Sequence, residues 1–247
     1  MIRYDSLLSN TVQEIAPSGI RKFFDLLDDL KGVTALTVGQ PDFVTPWHIR
    51  DAGIRSLEEG RTYYTSNNGL LEFRKEIANY QSRRFGLEYD PASEIIVTVG
   101  GSEAIDLALR ATVNPGDEVI VPAYTYIATA MAVVAVGAMP VIAEIDETLM
   151  IDPADIERKI TDRTKVILPV HMQGYPCNMD AIMAIAKKHN LKVIEDVSHA
   201  QGGMYKGKKL GTFGDIAAMS MMSGKSFACG EMGMLVTDDT KLYERAM

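Results

Sequence analysis

The sequence is poor in the residues that several function classes depend on. Among 247 residues there are only two cysteines, Cys177 and Cys229. That is too few for a disulfide framework or a cysteine-rich metal cluster. Basic residues are outnumbered, with 25 Lys and Arg against 33 Asp and Glu and a formal charge of -8. This balance argues against an electrostatic grip on nucleic acid or on an anionic membrane, although it leaves room for a local anion site. No apolar run approaches the ~20 residues of a membrane span. The opening "MIRYDSLLSN" has no signal-peptide h-region, so the expected location is the cytoplasm. Repeats, low-complexity tracts and blocks of like charge are also missing. The composition, 47% hydrophobic and 23% charged, is that of an ordinary globular protein. The length suits one large α/β domain or two small ones.

From about residue 70 the pattern alternates helix and short apolar strand. "LEFRKEIANYQSRRFG" has helical spacing and stops at Gly86. "EIIVTVGG" is a β-branched strand leading into "SEAIDLALRATV", a helix with Ser102 expected at its N-cap and Glu103 in the first turn. "DEVIVP", "MPVIAEID", "TKVILPV", "KVIED", "DIAAMSMM" and "MLVTD" read as further strands, with helices at "YIATAMAVVAVG", "DPADIERKI" and "DAIMAIAKKHN". Short strands of this kind, alternating with helices, imply a mostly parallel sheet covered on both faces, a three-layer α/β sandwich. Residues 1–65 read differently, as a helix "SGIRKFFDLLDDLKG", then a strand and Pro-rich loop "VTALTVGQPDFVTP". We therefore expect an N-terminal segment over 1–65 and a large domain over 66–247. The helix begun by "DTKLYERAM" is expected to lead on into a further part, which this sequence does not contain.

Ligands of open parallel sheets bind beyond the carboxyl ends of the strands, and four features fall there. "VTVGGSE" offers a glycine turn at a helix N-terminus, able to hold a phosphate or to be a plain tight turn. "VIED" ends in Glu195 and Asp196, which on their own suit a cap or a solvated acid. "PAYTYIAT" brings Tyr124 and Tyr126, whose bland role is packing. Lys225 in "SGKSFACGEMG" is the only charge between Asp215 and Glu231, and alone it suits a lysine whose stem snorkels to water. Together, a phosphate cradle, an aromatic ring, a buried acid and a desolvated lysine match the needs of pyridoxal 5′-phosphate (PLP). The amine attacks as the free base, and the acid keeps the pyridinium nitrogen protonated.

On these motifs the chain resembles fold-type-I PLP-dependent aminotransferases over essentially its whole length. Residues 13–122 resemble class I/II aminotransferases through "PSGIRKFFDL", "GQPDFVTP", "YYTSNNGLLEFRKEI" and "EIIVTVGGSEAIDLALRATVNPGDEVIVP". Residues 123–247 resemble the DegT/DnrJ/EryC1/StrS sugar aminotransferases through "YTYIATAMAVVAVGAMPVIAEID", "ITDRTKVILPVHMQGYPCNMDAI" and "VIEDVSHAQGGMYKGKKLGTFGDIAAMSMMSGKSFACGEMGMLVTDD". The resemblance implies that Lys225 is the Schiff-base lysine and proton carrier, and that Asp196 is the pyridinium partner, with His199 near the ring. It makes Tyr126 the stacking aromatic in preference to Tyr124. Backbone at Gly101, Ser102 and Glu103, with the Ser220 hydroxyl, would hold the phosphate. Tyr64 matches a tyrosine that reaches a phosphate in the partner subunit of a homodimer, and Gly39 lies in a substrate-bordering loop. No metal is implied.

Departures from the class I pattern narrow the expectation. "PVHMQG" stands where class I enzymes carry "NPTG", and both families continue into a small C-terminal domain, which in class I enzymes supplies the carboxylate-binding arginine. The expected activity is transfer of an amino group from an amino acid to a keto acceptor, a nucleotide-linked keto sugar or a 2-oxo acid. The alternatives are a PLP-dependent C–S lyase working by β-elimination, or a shortened chain that keeps the fold without catalysis.

Overall fold

The computed structural model describes residues 9–14, 32 and 43–247. The chain divides into two compact units, 1–40 and 41–247. In the first, the described residues form a single short helix, α1 (Asn10–Glu14). Gly39 and all but the last residue of the expected helix "SGIRKFFDLLDDLKG" lie outside the described residues, as does most of "VTALTVGQPDFVTP".

The second unit runs α2 (Trp47–Glu58), α3 (Leu71–Phe85), β1 (Ile95–Val99), α4 (Gly100–Thr112), β2 (Glu118–Pro122), α5 (Ala128–Ala135) and β3 (Met139–Ala143). It continues through α6 (Pro153–Lys159), β4 (Thr164–Ile167), α7 (Met179–His189), β5 (Lys192–Asp196), the ribbon β6 (Met204–Tyr205) and β7 (Lys208–Lys209), β8 (Ile216–Met222), β9 (Glu231–Val236) and α8 (Thr240–Ala246). Local chemistry sets many of the ends. The α3 helix stops as expected, with Gly86 left-handed at φ 69 and its N–H turned back to the Gln81 and Ser82 carbonyls. Asp152 caps α6 ahead of Pro153, Asn178 caps α7, and Asp239 caps α8 through the N–H groups of Lys241 and Leu242. Among the described residues no helix is long and apolar enough to cross a membrane.

Seven strands form one sheet in the order β1-β9-β8-β5-β4-β2-β3. Neighbours from β8 to β3 are parallel, and β9 alone runs against both β8 and β1. The reversal follows from connection length: β8 and β9 are joined by the loop 223–230, too short for the crossover a parallel pair needs. The core has two sides. Ile105, Leu109, Val133 and Leu242, from α4, α5 and α8, pack with Val121, Val166 and Ile194. On the opposite face Ile156, Met179 and Ile182 of α6 and α7 meet Ile120, Ile167 and Val193, while Ile77 of α3 meets Met219 and Met234. Adjacent residues of β5, Val193 and Ile194, thus enter opposite layers, as strand geometry requires. This is the three-layer, mostly parallel sandwich that the alternating pattern implies.

One expectation fails locally. Helix α4 starts before Ser102, so Ser102 lies within its first turn and is not the N-cap. The reason is Gly100, whose φ of 74 turns the chain sharply out of β1 so that the helix begins at once. Capping falls instead to Glu103, whose carboxylate accepts the Val99 N–H. The turn presses onto the sheet where β9 is thinnest. A Cβ at Gly233 would sit 2.3 Å from the carbonyl carbon and oxygen of Gly100, and one at Gly101 would sit 2.8 Å from the Ser220 Cβ. Gly233 pairs with Thr98 on one side and Ser220 on the other, so this contact seats the α4 N-terminus over β9, next to the edge strand β1. Gly233→Ala is expected to destabilise the chain by about 3 kcal/mol or more. Gly53→Ala in α2, where a Cβ meets nothing within 4 Å, should instead be neutral or stabilise by up to about 1 kcal/mol. Urea midpoints of the two variants and the parent test the contrast.

Candidate active site at the ends of β5 and β8

Strand β5 lies inside the sheet between β4 and β8 and ends in two acids. Successive side chains on a strand leave by opposite faces, so Glu195 and Asp196 serve different surroundings. Glu195 is wholly buried. Its Oε1 accepts the N–H groups of Phe213 and Gly214, both at 2.7 Å, and Oε2 accepts that of Gly211 at 2.9 Å. Oε2 also lies 3.1 Å from Nε2 of the equally buried His171. The other ring nitrogen, Nδ1, accepts the Cys177 N–H at 3.1 Å. His171 therefore carries its proton on Nε2 and donates it to Glu195. Burial pushes Glu195 upward, but the hydrogen bonds from His171 and the Gly214 and Gly211 backbone outweigh it and hold the carboxyl below the usual glutamate range.

Asp196 is 6% exposed. Its backbone is pinned on the β4 side, where its N–H donates to the Pro169 carbonyl and its own carbonyl accepts the His171 N–H. Oδ1 accepts the Ser198 N–H at 2.9 Å, which leaves Oδ2 for a donor from outside. Strand β8 runs past the end of β5, since Asp196 is paired with Ala218 while β8 continues to Met222. Side chains of the turn after β5 take over the exposed edge. Ser198 Oγ accepts the Ser220 N–H at 3.0 Å, and Gln201 Nε2 donates to the Ser220 carbonyl at 2.6 Å. Ser220 is thereby fixed against Gly101 at the start of α4, beside the Gly101–Glu103 backbone.

Lys225 sits half-buried in the β8–β9 loop, its N–H bonded to the Met222 carbonyl at 2.9 Å. Burial holds its amine below the ordinary lysine range, and the nearby Asp196 carboxylate partly offsets this. His199, three residues beyond Asp196, is held below the usual histidine range by burial first and then by the Lys225 charge, with Asp196 opposing. Asp196, His199 and Lys225 therefore act on one another electrostatically, at the carboxyl ends of adjacent strands.

The aromatic residues are placed differently. Tyr126, after β2, is 74% exposed, and the ring of Tyr64 stands fully exposed. Tyr124 is tied in: its hydroxyl accepts a hydrogen bond from Gln173 Nε2 at 3.1 Å, and the Gln173 N–H donates to His199 Nδ1 at 3.3 Å. Ser102 and Glu103 are exposed in the first turn of α4, with Gly101 buried behind them. Burial pushes the Cys177 thiol up to about 12, which keeps it protonated and inert. A separate cavity of about 310 Å³, lined by Tyr89, Glu94, Gly211 and Asp215, opens at the start of β8, the end of that strand away from Lys225.

The sequence model of the DegT/DnrJ/EryC1/StrS aminotransferase family matches residues 57–247. The chain belongs to this family. YugH of Bacillus subtilis (strain 168), which carries an aminotransferase name, is 46% identical over 204 residues, 79% of this chain and 53% of that protein. A dTDP-3-amino-3,4,6-trideoxy-alpha-D-glucose transaminase from Streptomyces venezuelae is 42% identical over 199 residues, 79% of this chain and 50% of the relative. Among solved structures, a single mutant of Thermus thermophilus aspartate aminotransferase is similar at a TM-score of 0.76 and 29% identity, covering 97% of this chain and 66% of that one. The chain spans about half the length of the curated relatives it matches. Both lineages seen in the motifs thus recur, and the family match extends back into the stretch whose motifs resemble class I/II enzymes.

Sequence reasoning singled out Asp196, His199, Ser220 and Lys225 but gave no part to Glu195 in holding the site, nor any to His171, Ser198, Gln201 or Gln173. Their signal lay in long-range pairs, such as "VIED" with "GTFGD", which residue spacing alone does not reveal. Replacing Glu195 with Gln turns one acceptor oxygen into a donor that faces donors, with an expected loss of about 3 kcal/mol. Because the folded carboxyl is depressed, its stabilisation is present above the ordinary glutamate range and lost as pH falls through the depressed value. Denaturant unfolding at a series of pH values should show a shallower acid decline for Glu195→Gln than for the parent.

Proposed function

We propose that this chain works as a PLP-dependent aminotransferase that moves an amino group from an amino acid to a keto acceptor, in this case a nucleotide-linked keto sugar. The observation that carries the reading is the mutual placement of Lys225, Asp196 and His199 beside the Gly101–Ser220 contact. The residues suit the cofactor. An anion meets backbone N–H groups of the first α4 turn and the Ser220 hydroxyl, where only glycine at 101 allows strand and helix to come this close. The Asp196 oxygen not engaged by Ser198 would accept the proton of the cofactor's ring nitrogen. When bound, PLP supplies the electron sink and carries the amino group between donor and acceptor.

The chain's own residues have distinct tasks. Lys225 is the point of covalent attachment, and its lowered amine raises the share of free base at neutral pH. With PLP bound, Nζ would be the base that takes a proton from the substrate carbon and the acid that gives it back. Asp196 would hold the ring-nitrogen proton in place, its own direction set by the Ser198 N–H. Exposed Tyr126 is assigned the stacking role and Tyr64 a phosphate contact in a second copy of the chain, so the working form is a homodimer. Family membership and the transaminase name of the Streptomyces venezuelae relative favour the sugar acceptor over a 2-oxo acid.

Addition of PLP to the purified chain, followed by borohydride reduction and peptide mass spectrometry, should place the pyridoxyl adduct on Lys225 and abolish it in Lys225→Ala. An adduct on a different lysine in a folded preparation would sink the reading. Asp196→Ala should retain labelling but lower amino transfer by about two orders of magnitude or more. Incubation with glutamate, glutamine, alanine and cystathionine separates the activities: pyridoxamine phosphate marks the transaminase, pyruvate with free thiol the C–S lyase. Light scattering should report a dimer, and a monomer would remove Tyr64 from the site.

A further inference from the structure

The turn after β4 contains a residue in a conformation that glutamine rarely adopts. Gln173 has φ 54 and ψ 23, in the left-handed region, where a side chain is strained unless its neighbours hold it. Two hydrogen bonds do so. The side-chain amide donates to the Tyr124 hydroxyl, and the backbone N–H donates to His199 Nδ1. A single residue thus links the loops that follow β2, β4 and β5. Gly174, left-handed as well at φ 88, brings the turn against His199 a second time, since a Cβ there would lie 3.6 Å from the His199 carbonyl oxygen.

We propose that Gln173 is a positioning residue: its amide, anchored on the Tyr124 phenol, holds the left-handed turn that aims its N–H at His199 Nδ1, which fixes the imidazole and keeps its proton on Nε2. An Nδ1 that accepts a hydrogen bond cannot also carry a proton without setting two N–H groups against each other. The other groups that act on His199 are Asp196 at its own strand end and Lys225 from the β8–β9 loop. Burial and the Lys225 charge disfavour a protonated ring while Asp196 favours one, so the Gln173 N–H adds its weight to the neutral form. The role in catalysis rests on the aminotransferase reading: beside the carboxylate assigned to the cofactor ring, a fixed tautomer decides which imidazole atom is offered there. The tie between the three loops stands on geometry alone.

The test uses the whole chain, labelled with nitrogen-15 and without added PLP. With four histidines in the sequence, long-range proton–nitrogen spectra resolve the side-chain tautomers, and His199→Gln assigns the signal. In the parent, His199 should show the Nε2–H tautomer. Tyr124→Phe removes only the anchor, and Gln173→Ala removes the amide while keeping the strained backbone. Both should mix the tautomers and raise the His199 pKa by about 0.5 unit or more, the worth of one neutral hydrogen bond. Gln173→Gly removes the amide but relieves the strain, so it should stay closer to the parent. Thermal melts by circular dichroism show that the variants are folded. Unchanged tautomer and pKa in Tyr124→Phe and Gln173→Ala would overturn the proposal, as would an equal shift in all three variants. Failure of PLP to label Lys225 would instead overturn the aminotransferase reading and leave this measurement intact.

Discussion

Much of the structure around the site depends on one buried charge. Glu195 has no exposed surface, yet its two oxygens collect three backbone N–H groups from the 211–214 loop and the Nε2 proton of His171. An unpaired carboxylate in such a place would cost several kcal/mol, whereas one with donors on both oxygens is tolerated. The donors come from segments that share no regular structure with β5. One is the loop that leads into β8, and the other is the turn after β4, which carries His171 and, through it, Cys177. Glu195 therefore sets the start of β8 and the shape of the β4 turn together, with Asp196 the next residue along on the opposite face of the strand. An apolar side chain could fill the volume, but it would leave three N–H groups of a buried loop without acceptors.

The second constraint is a mismatch of strand length. Had β5 been as long as β8, Ser220 would be an ordinary ladder residue with its backbone spent on a neighbouring strand. Because β5 stops at Asp196, the turn after it folds back and supplies Ser198 and Gln201 as surrogate ladder partners. The same turn positions His199. The loop that closes β8 onto β9 then brings Lys225 over this edge, and the glycine pair at 100–101 brings the α4 N-terminus to Ser220 from the other side. The site thus lies where the regular pairing of the sheet runs out, which is where side chains and loop backbone become available for chemistry.

These facts explain what could be read from the sequence and what could not. The strands announce themselves as short β-branched runs, and the helices by spacing and caps such as Asp152, Asn178 and Gly86, because such signals are local. Asp196 and Lys225 were legible from their places at strand ends, whereas Ser220 entered only through the family resemblance. The Ser102 cap was misjudged because a left-handed glycine shifts the helix start by a turn's fraction, and residue identity does not report φ. Glu195 and Asp196 are adjacent acids, alike in sequence. Only the partners that meet them across the fold, 16 to 24 residues away for Glu195, separate the acid whose oxygens are all engaged from the one that keeps an oxygen free. Tyr124 was passed over for Tyr126 on resemblance alone, whereas the hydrogen bond to Gln173 is what gives Tyr124 a place in the framework.

The electrostatics at Lys225 show why these separate devices have to act together. Desolvation favours the free amine, but the same burial next to Asp196 draws the amine back toward its charged form. If Asp196 turned wholly toward Lys225, the two would settle into an ion pair, with the amine locked as ammonium and the carboxylate spent. The Ser198 N–H, bonded to Oδ1, holds that oxygen within its own turn and leaves Oδ2 as the one that can face another donor. On the other side, His199 cannot become a second cation without meeting the Lys225 charge, and its Nδ1 is already engaged by Gln173. The arrangement therefore favours the neutral imidazole at His199 and weakens the protonated state of the Lys225 amine, with the Asp196 carboxylate opposing both. What adds to this balance is hydrogen bonding from loop backbone, the Ser198 N–H on Asp196 and the Gln173 N–H on His199, which does not itself titrate.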